Sequence, residues 1–124
     1  MSPVSVLIVD DHESFRRVAT SVVDATDGFT VAATATSGEE SIEAVERLRP
    51  DLVLMDVNLP GINGLEATRR LRTLSPSPVV VLLSSYEESE IDGSVAQCGA
   101  AAYVAKSAFG PERLAAVWAM ATGG

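Results

Sequence analysis

The chain contains few residues that could form covalent cross-links or soft metal sites. Its 124 residues include one cysteine, Cys98, and one histidine, His12. A single cysteine cannot form an intramolecular disulfide, and no cluster of cysteines and histidines with metal-ligand spacing is present. This composition is typical of proteins of reducing compartments, so we expect a cytoplasmic location.

Positive charge is also scarce, with 9 Lys and Arg against 17 Asp and Glu and a formal net charge of -8. Because this excess of acid repels a phosphate backbone, we expect no direct nucleic-acid binding by this chain. Basic partners or metal cations suit it better. The first residues, MSPVSVLIVDD, include only a short apolar run and no basic leader, so we expect neither a signal peptide nor a membrane span.

The chain does contain enough apolar residues, 47%, for one core, and we expect a single domain over residues 1–124. Short β-branched runs predict buried strands at 4–9, 29–34, 52–55, 79–83 and 101–105. Helical periodicity and capping signals predict helices around 15–23, between Ser37 and Pro50, around 65–74, at 87–98 and from Pro111 onward. In the first of these, the apolar residues that share one predicted buried face are Phe15, Val18, Ala19, Val22 and Val23. Ser37 and Glu40 form a predicted capping box for the second helix.

Alternating strands and helices predict an α/β fold, a parallel sheet with helices on both faces. The alternation fits several doubly wound folds, and ligands bind beyond the carboxyl ends of their strands. In the flavodoxin-like strand order 2-1-3-4-5, the first and third strands are neighbours about 4.8 Å apart. The side chains that follow the strands at this edge are Asp10, Asp11, Asp56, Ser84 and Lys106.

Three carboxylates at one edge of a sheet repel one another unless a cation or a proton neutralises them. A divalent ion with oxygen ligands, most naturally Mg²⁺ and alternatively Mn²⁺, would relieve this repulsion. A carboxylate can also attack phosphorus and form an aspartyl phosphate. Asp56 lies centrally, between Asp10 and Asp11 on one side and Ser84 and Lys106 on the other, so it is the candidate nucleophile.

Four stretches resemble the receiver domain of bacterial two-component response regulators: LIVDDH, LVLMDVNLPGINGLEATRRLR, VVVLLSS and GAAAYVAKS. The resemblance covers essentially the whole chain. It is specific, because the acid pair, lone acid, hydroxyl, aromatic residue and lysine occur in the family's order at compatible spacings. The stretches DDH and NGLEATRRLR are most similar to the branch whose members carry a LuxR-type (NarL-type) output domain. The resemblance implies the flavodoxin-like (CheY-like) fold, with no output domain within this chain.

The resemblance also implies a role for each site residue. Asp56 would be the phosphoacceptor, and Asp11, Asp56 and the backbone carbonyl of Asn58 would bind Mg²⁺ directly, with Asp10 assisting through water. Lys106 would pair with the phosphoryl group.

Ser84 and Tyr103 would form a switch that reshapes the face made by the predicted 87–98 helix, the fifth strand and the last helix. Asn58 and Tyr86 would influence how long the phosphoryl group survives. Two residues depart from the common pattern: Ser107 replaces the proline that often follows Lys106, and Ala102 replaces a glycine.

The resemblance implies a signalling module that catalyses only its own phosphorylation and dephosphorylation. Its partners would be a histidine kinase or small phosphodonor and an output domain or downstream protein. Dimerisation on activation is a common output in that family, but no surface patch in this sequence decides it.

Three other functions remain open at this stage. An aspartyl-phosphate phosphatase would need an acid where Asn58 stands, and a flavin or nucleotide binder would not suit the acidic DDHE loop. The third alternative is a phosphate-independent domain of the same fold. Taken alone, Asp11 would more simply cap the first helix, but Asp10 and Asp56 beside it favour a metal site. We assign no role to His12.

Overall fold

The computed structural model describes residues 2–85 and 97–123. Within these ranges the chain forms five strands and four α-helices, in the order β1 (Val4–Val9), α1 (Glu13–Asp24), β2 (Phe29–Ala35), α2 (Gly38–Leu48), β3 (Leu52–Asp56), α3 (Gly64–Leu71), β4 (Val79–Ser84), β5 (Ala102–Ala105) and α4 (Pro111–Thr122). A 3-10 turn, Lys106–Ala108, follows β5. The helix predicted at 87–98 lies almost entirely outside the described residues.

The strands form one parallel sheet in the order β2-β1-β3-β4-β5, which confirms the predicted flavodoxin-like order. Helices α1 and α4 pack on one face of the sheet, and α2 and α3 pack on the other. Because both faces are covered, every residue of the central strand β3 is buried. Among the described helices, none combines the length and the apolar character that a membrane crossing requires.

The second strand differs from its prediction as a buried strand. Along Phe29–Ala35 partly buried and exposed residues alternate, and only Ala35 is fully buried. The strand lies at the edge of the sheet, so it has a neighbouring strand on one side only. Similarly Val18, predicted on the buried stripe of α1, is 52% exposed.

Local signals at the ends of α2 explain where this helix begins and ends. Ser37 Oγ accepts a hydrogen bond from the backbone N–H of Glu40 at 3.1 Å. In a capping box the Glu40 carboxylate would accept a hydrogen bond from the N–H of Ser37. Here it accepts from the N–H of the preceding residue, Thr36, at 3.2 Å. Arg49 ends the helix in the left-handed conformation of a C-cap, with a φ of 48°, and its N–H donates to the carbonyl of Val45 at 2.9 Å. The following Pro50 disfavours right-handed helical backbone at this position.

The loop from β3 to α3 folds back tightly against the end of β3. The N–H of Gly64 donates to the carbonyl of Val57 at 2.9 Å, and a Cβ atom at Gly64 would collide with the carbonyl oxygen of Asp56. Asn63 then caps α3, since its Oδ1 accepts from the N–H of Glu66 at 2.9 Å. The close approach of Gly64 therefore fixes the backbone that carries Asp56.

We expect Gly64→Ser to lower the free energy of unfolding by about 1–3 kcal/mol, because the added side chain must displace the backbone at Asp56. Urea titration followed by circular dichroism measures this loss. Gly110→Ser is the matched control, since no atom of the described residues, apart from its chain neighbours, lies within 4 Å of an added Cβ, and serine is a good N-cap for α4. Equal losses in the two variants would contradict the assigned role of Gly64.

Candidate functional site

The carboxyl edge of the sheet brings together two buried acids and a lysine. Asp10 follows β1 and Asp56 ends β3, and they are 1% and 3% exposed. Lys106 follows β5, and its Nζ donates to Asp10 Oδ2 at 2.6 Å and lies 3.7 Å from Asp56 Oδ1. Strands β1 and β3 are adjacent, so the residues that follow them meet as the sequence predicted.

Asp11 and His12 complete this cluster on its solvent side. His12 Nδ1 lies 3.0 Å from Asp10 Oδ1 and 3.2 Å from Asp11 Oδ1, and the His12 backbone N–H donates to the same Asp10 oxygen at 2.8 Å. The N-cap residue of α1 is His12, with no side-chain cap. The reading of Asp11 as a helix cap is therefore wrong, and a residue to which the sequence assigned no role lies in the site.

The carboxyl group of Asp56 is only partly satisfied. Its Oδ1 accepts from the N–H of Asn58 at 3.3 Å, whereas its buried Oδ2 has no hydrogen-bond partner within the part of the chain that the structure describes. Burial raises the pKa of Asp56 from 3.8 to about 6. The negative charge of Asp10 adds to this rise in pKa, and the positive charge of Lys106 opposes it.

The donor set at this edge suits a hard divalent cation. One ligand atom from each of Asp10, Asp11, His12 and Asp56 lies within 4.8 Å of all the others. The cluster holds three carboxylates, of which Lys106 contacts two, and one buried oxygen of Asp56 has no hydrogen-bond partner among residues 2–85 and 97–123. A divalent cation would balance this negative charge and give that oxygen a partner. The backbone N–H of Asn58 donates to Asp56 Oδ1, so Asn58 lies beside the cluster. Metal binding by its carbonyl stays a prediction.

An aromatic pair holds Lys106 from the other side. Its Nζ lies 4.4 Å from the centroid of the Phe15 ring, and Phe15 lies 6.4 Å from Phe109, centroid to centroid. The ammonium is therefore fixed between a carboxylate and a ring face, at 15% exposure. The sequence placed Phe15 only on the buried face of α1, because helical periodicity does not reveal contacts with a distant loop.

The predicted switch residues lie near the same edge. Ser84 ends β4 and is 1% exposed. Tyr103 lies on β5 and pairs with Leu82 of β4, and its half-buried side chain packs against the core on the α2 and α3 side of the sheet. Tyr86 lies outside the described residues, so its expected influence on phosphoryl lifetime stays a prediction.

Comparison with known families gives one consistent result. The model of the response regulator receiver domain matches residues 6–118. The response regulator GacA of Pseudomonas viridiflava is 43% identical over 114 residues, which cover 92% of this chain and 53% of GacA. UvrY of Escherichia coli K12 is 33% identical over 120 residues, 97% of this chain and 55% of UvrY. The chain thus spans about half the length of these curated relatives.

Solved structures agree with this match. The signal receiver domain of NarL from Mycobacterium tuberculosis aligns over 100% of both chains, with a TM-score of 0.89 and 27% identity. The response regulator domain of Thermotoga maritima CheB aligns over 97% of both chains, with a TM-score of 0.84 and 25% identity. The likeness extends over the whole sheet and the edge that carries the acids.

Proposed function

The chain belongs to the family of response regulator receiver domains, which act in two-component phosphorylation signalling, and from this premise we propose that Asp56 is its phosphoacceptor. The observation that supports this role is the buried Asp56 carboxylate, which lies 3.7 Å from Lys106 Nζ and has one oxygen without a partner in the described structure. An aspartate carboxylate can act as a nucleophile and form an aspartyl phosphate, and an oxygen that accepts no hydrogen bond has its lone pairs available for that attack.

In the proposed transfer, a carboxylate oxygen of Asp56 attacks the phosphorus atom of the donor. The new oxygen–phosphorus bond forms as the bond to the donor breaks, and the donor keeps that electron pair. The donor is a histidine kinase or a small acyl phosphate. Lys106, 3.7 Å from Asp56 Oδ1, would pair with the phosphoryl oxygens, and the Ser84 hydroxyl would donate to another. The chain would thus catalyse its own phosphorylation and later dephosphorylation.

Asp10, Asp11, Asp56 and the Asn58 carbonyl are the residues that would hold Mg²⁺ or Mn²⁺. The ion, when bound, neutralises charge that develops on the phosphoryl oxygens. The contribution of the chain is to bring the three carboxylates together at the ends of two adjacent strands and to keep those of Asp10 and Asp56 largely out of water. Those carboxylates repel one another without a cation, which favours binding of one.

Ser84 and Tyr103 would relay the phosphorylated state to a surface. In this proposal the Ser84 hydroxyl moves toward the phosphoryl group, Tyr103 turns inward, and the face around β5 and α4 changes shape. That face would act on an output domain or a separate protein, or form a homodimer. The extent of the domain over 1–124, the absence of an output domain within it and a cytoplasmic location all stay predictions.

Intact mass spectrometry tests the phosphoacceptor proposal. The protein is incubated with acetyl phosphate and Mg²⁺, beside a sample with the metal chelated. We expect one added phosphoryl group that depends on the metal and is removed by hydroxylamine, which cleaves acyl phosphates. No gain, even with a histidine kinase as donor, would instead favour a phosphate-independent domain of the same fold.

We expect Lys106→Ala to leave divalent-ion binding largely intact but to uncouple phosphorylation from the change of surface. The ammonium that would draw the phosphoryl group toward β5 is absent in this variant. Amide chemical shifts of residues 102–105, recorded with and without acetyl phosphate, measure the coupling. Arg113→Ala, which removes a positive charge from an exposed position of α4, is the control. Wild-type shift changes in Lys106→Ala would contradict the role of this lysine.

A further inference from the structure

His12 is the one histidine of the chain, and the fold places its ring against the acid cluster. The residue precedes α1 as its N-cap, and its side chain is 64% exposed, so the contact of Nδ1 with Asp10, and not packing, sets the position of the ring. Its Nδ1 lies between an oxygen of Asp10 and an oxygen of Asp11, at 3.0 and 3.2 Å. The ring therefore contributes a nitrogen atom to a site that otherwise offers oxygen.

These distances fit the edges of a metal coordination shell. In an octahedron with bonds of about 2.1 Å, adjacent ligand atoms lie roughly 3.0 Å apart. The Nδ1 atom of His12 and the two carboxylate oxygens therefore have the spacing of neighbouring ligands. The Asp56 oxygen that has no partner among the described residues supplies an independent sign that the cluster accepts a further group.

Lys106 leaves this corner of the site free. It binds Oδ2 of Asp10, whereas His12 approaches Oδ1 of the same carboxylate. A cation beside His12 would therefore not need to displace the ammonium.

We propose that His12 Nδ1 is an additional ligand, which raises the affinity of this site for ions that bind imidazole, such as Mn²⁺, Ni²⁺ and Zn²⁺, without raising its affinity for Mg²⁺. The inference rests on the proposed metal site of Asp10, Asp11 and Asp56. Magnesium binds oxygen ligands and keeps its waters, so it gains little from a nearby imidazole. Nickel and zinc bind imidazole nitrogen well, so the same residue raises their affinity.

Isothermal titration calorimetry of the untagged protein with Ni²⁺ and with Mg²⁺ tests this assignment. Loss of even an outer-shell partner typically lowers metal affinity about 10–100-fold, so we expect His12→Ala to weaken Ni²⁺ binding at least tenfold. Binding of Mg²⁺ should change less than about threefold, because its ligands are oxygens. Ser14→Ala, in the same exposed turn of α1, is the control and should change neither affinity.

A second readout reports the nitrogen itself. Because the chain has one histidine, the ring signals in long-range ¹H–¹⁵N spectra belong to His12 and need no further assignment. Addition of Zn²⁺ should shift the Nδ1 resonance to the value of a metal-bound nitrogen. Equal losses of Ni²⁺ and Mg²⁺ affinity in His12→Ala, or no shift of Nδ1, would overturn the inference while leaving the metal site standing. A wild-type protein that binds no divalent ion would overturn the metal site and the inference together.

Discussion

Asp56→Asn should take up no phosphoryl group from acetyl phosphate under conditions in which the wild-type protein is modified. An amide of nearly the same shape fits the buried position, which is 3% exposed, but it cannot attack phosphorus as a carboxylate does. The fold should persist, because the substitution removes a buried charge that burial and Asp10 disfavour. Intact mass measures the uptake, and circular dichroism checks the fold.

Asp27→Asn provides the matched control for this loss. It removes the same charge from an exposed turn between α1 and β2, at the opposite end of the strands from the acid cluster. We expect it to be phosphorylated at the wild-type rate. Uptake by Asp56→Asn at that same rate would mean that another residue accepts the phosphoryl group.

The second large effect is a pH dependence of the free energy of unfolding, which arises from the titration of Asp56. Its pKa is about 6 in the folded protein and 3.8 as the ordinary value, so the folded state holds this proton more tightly than the unfolded state does. The corresponding stabilisation is complete below about pH 4 and is lost as the pH rises through about 6. The shift in pKa is equivalent to about 3 kcal/mol.

Urea unfolding in metal-free buffer between pH 4 and 7.5, for wild type and Asp56→Asn, isolates this effect. Other titrating groups contribute to both curves, so the difference in free energy of unfolding reports Asp56. We expect the wild-type protein to lose about 3 kcal/mol relative to the variant across this range. A difference that stays constant with pH would contradict the burial and repulsion assigned to Asp56.

Addition of Mg²⁺ at neutral pH should reverse this loss in the wild-type protein. A ligand that binds only the folded state raises its stability, and the acid cluster is the proposed site of that binding. Asp56→Asn should gain less, because one of its charged ligands is gone. An equal gain in the two proteins would mean that the ion binds away from Asp56.

The fold and the main site were predictable because both depend on the strands. Alternating strand and helix patterns predict a doubly wound parallel sheet, and the carboxyl ends of neighbouring strands meet wherever such a sheet forms. Asp10, Asp56 and Lys106 each lie at or directly after a strand, so their proximity follows from topology alone.

Contacts that depend on side-chain direction were not predictable. His12 was missed because nothing in the pattern shows that a ring at the start of α1 turns back to Asp10 and Asp11. The sequence pattern predicts only that Phe15 packs against the core. Its contact with Lys106 depends on the path of the chain after β5, which places Lys106 Nζ 4.4 Å from the centroid of the Phe15 ring. The exposure of Val18 likewise depends on how much of α1 the neighbouring elements cover.

The most direct test of the proposed chemistry is to locate the modified residue. The protein is phosphorylated with acetyl phosphate and Mg²⁺ and reduced with borohydride, which converts an aspartyl phosphate to homoserine, and its peptides are then sequenced by mass spectrometry. The account predicts homoserine at Asp56 alone, dependent on the metal. Homoserine at Asp10 or Asp11, with Asp56 unchanged, would contradict it.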